Sequence, residues 1–285
     1  MTTNLVLQGP QATHATLERL AQLAQLANPA SITALGEHAL RAERVTDSPA
    51  LKAELEAAAF EAGVDATFIA AGRSLADFKL VAMDMDSTLI TIECIDEIAD
   101  MQGLKPQVAA ITEAAMRGEL DFSESLNRRV ALLAGLDASA LQRVYDERLN
   151  ISMGGEAMLQ AIQAAGLKTL LVSGGFTFFT DRLKPRLGLD YAHANVLEVV
   201  DGKLTGRVVG GIVDADEKKR TVERVCAELG IAPSQAIVMG DGANDLKMMG
   251  IAGLSVAFRA KPVVRAQAGV ALNFSGLDGL LTILA

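Results

Sequence analysis

From about residue 80 onward, short apolar runs alternate with segments of helical period. "FKLVAMD", "KTLLVSGG", "QAIVMGDG" and "GLSVAF" read as strands, the middle two ending in glycine-bearing loops. Between them, "ADEKKRTVERVCAELG" sets Val222, Val225, Cys226 and Leu229 on one helical face and stops at Gly230. Strand and helix in repetition predict a Rossmann-like parallel sheet covered by helices. In such sheets ligands bind beyond the carboxyl ends of the strands. The polar residues of three runs fall there: Asp84 and Asp86, Ser173, and Asp241.

Residues 93–150 break the alternation with purely helical patterning. "DFSESLNRRVALLAG" opens on Asp121 with Glu124 three residues on, a capping-box spacing, and its apolar stripe runs Phe122, Leu126, Val130, Leu133. This predicts an inserted helical cap over the strand ends. Further on, "NVLEVVDGKLTGRVV" carries Asp201-Gly202 between β-rich runs, a type I′ hairpin signal.

Residues 1–75 form a separate unit in this reading. "NLVLQG", "ITALGEH" and "DATFIAAG" are strand-like, helical segments lie near 13–27 and 49–62, and a further strand is expected around Leu40–Val45. The order fits a small α+β sandwich. The expected organisation is therefore a small N-terminal domain over 1–75 and a larger α/β domain over 78–285.

Composition narrows the function classes. With 285 residues, half of them hydrophobic, the chain can bury a substantial core beside a smaller unit. A net charge of −9 and no long basic run argue against a nucleic-acid partner. Cys94 and Cys226 match no metal spacing, and the expected setting is reducing and cytoplasmic. The first residues show no basic stretch followed by a long apolar one, so no signal peptide is expected. The longest apolar runs fall short of a membrane span.

The candidate chemistry centres on "KLVAMDMDSTLITIE", residues 79–93. Two carboxylates one residue apart at the end of a buried strand repel each other and lose water, so something must compensate. A hard dication held by oxygen ligands would do so, and "GDGANDLKMM" supplies Asp241 and Asp245 at another strand end. Two unrelated acidic surface loops are the alternative. Ser173 before Gly174-Gly175 either caps the next helix or, with the Gly174 amide, grips an anion. Lys218 stands at a helix start, where a cation is disfavoured unless an anion is near; the alternative is a solvated "KKR" run. Arg129 lies along the edge of the apolar stripe set by Phe122, Leu126 and Leu133, and needs either an internal acid or an anionic ligand. His14, His38 and His193 show no metal-binding spacing, and Cys94 reads as a packed thiol.

In order, "DMDSTL", "VSGG", a lysine beginning a helix and "GDGAND" resemble the four motifs of the haloacid-dehalogenase phosphatase superfamily. "DMDSTLITIECIDEIAD", "VSGGF", "GDGANDLKMM" and "AFRAKP" are similar to segments of its phosphoserine phosphatase family, over roughly residues 78–285. The resemblance implies Asp84 as nucleophile and Asp86 as acid–base, with Mg²⁺ held by Asp84, the Asp86 carbonyl and Asp241, and Asp245 nearby. It implies Ser173, Gly174 and Lys218 on the phosphoryl oxygens, Arg129 on the substrate carboxylate and Glu93 on its ammonium. Met116 and Phe122 match positions that close over the substrate, and Asn244 orients phosphate or substrate or simply shapes the turn. The implied reaction is hydrolysis of O-phosphoserine, a free small molecule, in serine biosynthesis. The alternatives are a relative acting on another small phosphate or moving phosphate to homoserine, and a regulatory amino-acid-binding protein. The N-terminal unit resembles, in element order alone, the ACT-like ligand-binding modules attached to amino-acid enzymes; a structural or homodimer-forming role is the alternative.

Overall fold

The computed structural model describes residues 2–10 and 17–285, the Met116 side chain excepted. The first unit runs β1 (Thr3–Gln8), α1 (Leu17–Gln25), β2 (Ser31–Ala34), β3 (Ala39–Glu43), α2 (Pro49–Glu61) and β4 (Asp65–Ala70). Its antiparallel sheet has the order β2-β3-β1-β4. The extra strand expected around Leu40–Val45 is β3; residues 13–16 of the first expected helix and His14 lie outside the described residues. Alternation along β1 sends Leu5 and Leu7 toward the helices of this unit, and Val6 into the core of the larger domain.

The larger domain begins with β5 (Leu80–Met83). Four helices follow, α3 (Cys94–Asp100), α4 (Lys105–Met116), α5 (Phe122–Ala131) and α6 (Ser139–Glu147), then α7 (Gly155–Ala164). The chain continues through β6 (Lys168–Phe176), α8 (Thr177–Leu187), β7 (Tyr191–Val200), β8 (Lys203–Val209), α9 (Ala215–Leu229) and β9 (Ala236–Gly240). It ends with α10 (Leu246–Met249), β10 (Leu254–Phe258), α11 (Pro262–Arg265), β11 (Val270–Leu272) and α12 (Gly279–Ile283). The seven strands lie in the order β11-β10-β9-β5-β6-β7-β8, parallel except for β8 at the edge. Along β5, Val81 and Met83 face one helical layer while Leu80 and Ala82 face the other. That double burial is why the run reads as continuously apolar.

From β5 the chain winds outward through β6 to the β7–β8 hairpin, then returns to lay β9 on the other side of β5. The switch point thus lies between β5 and β9, and both strand tips open on it. At the hairpin, Asp201 and Gly202 have φ of 49° and 74°, and Val200 faces Lys203 as a two-residue turn requires.

Helices α3 to α6 form the cap. Its two connections are tied to each other: Thr91 donates to the Asn150 carbonyl, Ser152 donates to Leu89, and Ile90 bridges Ile151. Asp121 accepts from the Glu124 amide at 2.8 Å, but the Glu124 carboxylate pairs with Arg128 instead of returning to close the box. The cap also leans on the hairpin, since Gly135 donates its amide to the Leu204 carbonyl and Leu204 donates its own to the Leu136 carbonyl. No described helix is long and apolar enough to cross a membrane.

Candidate active site

The site is built at the tips of β5 and β9, with β6 beside them. Met85 donates its amide to Asp84 Oδ1 at 2.7 Å, and Lys218 Nζ lies 2.8 Å from the same oxygen. Asp84 Oδ2 is left without a hydrogen bond among the described residues. Lys218 also donates to Asp245 Oδ1 at 2.7 Å, while Asp245 Oδ2 accepts from the Gly242 amide at 3.0 Å. Lys218 is fully buried, so the solvated alternative is overturned: the α9 N-terminus sends this side chain into the sheet tips, and Lys219 and Arg220 pair on the surface. Carboxylate oxygens of Asp84, Asp241 and Asp245 lie within 4.8 Å of one another.

These groups perturb each other in the expected directions. Burial, then the charge of Asp245, pushes Asp84 well above the usual carboxylate range. Burial, again joined by Asp245, raises Asp241 to about 6. Burial and the neighbouring Glu93 push Asp86 up to about 7. For Lys218, burial opposes the charge, but Asp245 and Asp84 outweigh it and the ammonium is held. One ammonium among three crowded carboxylates leaves uncompensated negative charge, so this oxygen-only donor set fits a divalent cation.

Asp86 is held by the start of α3. Its Oδ2 accepts from the Cys94 amide at 3.1 Å, and its buried Oδ1 has no partner. Ser173 does not cap α8, whose N-cap position is Phe176. Its buried hydroxyl accepts from the Gly175 amide at 2.8 Å, inside the strand-end loop. A Cβ on Gly175 would lie 2.8 Å from Met85 Cε and 3.2 Å from Asp86 Oδ2, so the bare glycine lets this loop lie close against the β5 tip with Met85 undisturbed. A Cβ on Gly174 would meet Phe122 Cζ at 2.9 Å, which brings the start of the cap helix α5 down onto the same loop.

The cap supplies the remaining groups. Arg129 is half-buried, its Nε donates to the Ser125 carbonyl at 3.3 Å, and it has no ion pair among the described residues. Burial lowers its pKa against the opposing charges of Asp96, Glu93 and Asp86. Glu93 opens α3 and accepts from Ser87 Oγ at 2.6 Å. Asn244 folds its Oδ1 back over Gly242. Met116 ends α4, its side chain lying outside the described residues.

Sequence reasoning missed two contributors. Thr88 is buried and donates to Asp241 Oδ1 at 3.1 Å, linking the β5 and β9 loops. Lys261, in "AFRAKP", donates its amide to the Asp241 carbonyl at 3.2 Å. A polar residue two positions after Asp-x-Asp was the available signal for Thr88, and the "AFRAKP" segment was the one for Lys261. Cys94 is a buried thiol raised by burial, and His193 meets Glu217 at 3.4 Å rather than the site.

The profile of haloacid dehalogenase-like hydrolases matches residues 78–253. A phosphoserine phosphatase of Polaromonas sp. is 60% identical over 215 residues, 74% of this chain and 91% of that one. The chain belongs to the haloacid dehalogenase-like hydrolases, in their phosphoserine phosphatase family. A member of this superfamily from Salmonella enterica serovar Typhi superposes with a TM-score of 0.89 at 34% identity, over 100% of this chain and 99% of that one. The structure of a phospho-aspartyl intermediate analogue of a phosphoserine phosphatase superposes with a TM-score of 0.69 at 38% identity, covering 73% of this chain and 99% of that one. Phosphoserine phosphatases thus occur without a counterpart of about a quarter of this chain, while the Salmonella hydrolase matches all of it.

Proposed function

We propose that this chain hydrolyses O-phospho-L-serine to L-serine and phosphate, in serine biosynthesis, through an aspartyl-phosphate on Asp84. The observation that carries this reading is the meeting of Asp84 and Asp245 on the buried Lys218, with Asp241 within 4.8 Å of both carboxylates and a cap arginine that makes no ion pair among the described residues. The identity to the Polaromonas enzyme and the likeness to a phospho-aspartyl analogue support it.

In this mechanism Arg129 pairs with the substrate carboxylate and Glu93 with its ammonium, so the two ends of the cap site match an amino acid. Phe122 and Met116 close over the bound substrate, and Asn244 orients it. Lys218, the Ser173 hydroxyl and the Gly174 amide hold phosphoryl oxygens and offset their charge. Asp84 attacks phosphorus through a carboxylate oxygen as the P–O(serine) bond breaks, and Asp86 gives its proton to the departing oxygen. Asp86 then takes a proton from water, whose oxygen attacks the same phosphorus and releases phosphate and free Asp84. A Mg²⁺ ion, held by Asp84, the Asp86 carbonyl and Asp241, would supply positive charge to the transferring group. Asp245 has both oxygens engaged, one by Lys218 and one by Gly242, which suits it to holding that lysine in place. A cytoplasmic setting, with no nucleic-acid or membrane partner, completes the reading.

Phosphate release should be measured from O-phosphoserine beside phosphothreonine and simple sugar phosphates. Phosphoserine is expected to be preferred, with activity lost in chelator and restored by Mg²⁺. D84N should fold yet neither turn over nor trap phosphate covalently. A protein that leaves phosphoserine intact, or stays active in chelator, would refute the proposal.

A further inference from the structure

Ser87 has φ of 55° and ψ of 1°, a left-handed conformation that a side chain disfavours and glycine adopts at little cost. Something must therefore use the serine. Its amide donates to the Ile92 carbonyl at 3.1 Å, closing the loop from Asp86 back to the start of α3. With the backbone turned this way, the hydroxyl donates to Glu93 Oε1 at 2.6 Å, the length of a charge-assisted bond from hydroxyl to carboxylate. Glu93 has no ion pair among the described residues and is exposed, so packing does little to set its rotamer. One residue on, the Cys94 amide fixes Asp86.

We infer that Ser87 is a positioning residue for amino-acid specificity: its hydroxyl aims Glu93, leaving Oε2 for the substrate ammonium. The inference rests on the assignment of Glu93 to the ammonium made above. It adds that discrimination depends on a side chain between the catalytic aspartate and the cap that touches no substrate. A flexible glutamate would sample many rotamers and give up part of its interaction with the ammonium.

The test compares kcat/KM for O-phospho-L-serine with that for L-3-phosphoglycerate, which replaces the ammonium by a hydroxyl and keeps the carboxylate and phosphate. S87A should lower the ratio of the two about tenfold, the scale of one hydrogen bond to a charged group. S87G, which relaxes the backbone, should lower it equally. In an E93Q background S87A should change the ratio little further, because both act through one contact. A wild-type preference for phosphoserine that S87A and S87G leave intact would overturn the Ser87 inference alone, as would additive effects of S87A and E93Q. S87G keeping the preference while S87A loses it would overturn it in favour of backbone strain. A wild-type enzyme with no preference would instead overturn the reading of Glu93, and this inference with it.

Discussion

Lys218 Nζ stands 2.8 Å from Asp84 Oδ1 with neither side chain open to bulk water, and it holds Asp245 at 2.7 Å on its other side. The helix start that made a lysine look misplaced is what delivers it to two buried acids.

Replacing Lys218 by Met should therefore harm folding as well as turnover. It would leave two buried carboxylates without their cation, a loss of about 3–5 kcal/mol when one partner of a buried pair is removed. Urea denaturation at neutral pH would report it. Stability within about 0.5 kcal/mol of wild type, the size of a bland surface change, would mean that the pair is not energetically coupled.

Arg129 should behave oppositely. It makes no ion pair among the described residues and is desolvated, so R129A should cost little stability, under about 1 kcal/mol. Its effect should fall on KM for phosphoserine, raised at least about tenfold, the factor that corresponds to losing about 1.4 kcal/mol of binding. Steady-state kinetics beside thermal denaturation separates the two. Wild-type KM with a large loss of stability would make the arginine an internal structural element.

Asp65 joins the two sheets. Its carboxylate is buried and accepts from the amides of Asn273 at 2.7 Å and Ser275 at 2.8 Å, with Phe274 at 3.2 Å between them. D65N can still accept through one oxygen but turns the other position into a donor facing an amide. It should cost about 1–3 kcal/mol, the penalty for stranding a buried polar group. Calorimetry should show this with the phosphoserine KM unchanged. An unaltered melting temperature would mean that the junction is held by apolar contacts such as those of Val6 and Ile69.

Asp190 offers a pH dependence of clear sign. Burial pushes its carboxyl up, but bonds from Lys168 at 2.6 Å and from the Thr169 amide at 2.9 Å outweigh that and hold it below the usual range. A depressed folded pKa contributes stability above the unfolded value of 3.8 and loses it as pH falls through the folded pKa. D190A should thus be less stable than wild type by about 1 kcal/mol at pH 7, since the pair is partly screened. The difference should shrink below pH 4. A gap that does not narrow as the pH falls below that range would assign the effect to packing.

The alternation of strands and helices, the cap and the four motif loops were legible in the sequence. Each is a local pattern: a buried run ending in acids, a helical stripe opened by Asp121, a hairpin turned at Asp201-Gly202. The local readings that stayed ambiguous were those whose partner is distant in the chain. Ser173 offered a helix cap or an anion grip, and the fold ended β6 beyond it so that Phe176 took the cap. Lys218 offered solvent or an anion, and only the return of β9 beside β5 brought Asp84 and Asp245 to one ammonium. Asp65 on residues 273–275 carried no local mark at all. Residue type and spacing determine which chemistry the chain can carry, because hydrophobic period and turn geometry act over a few residues. Which charges are buried together, and therefore which must be compensated, was decided by tertiary packing, because desolvation and Coulomb energy depend on distance in space and not along the chain.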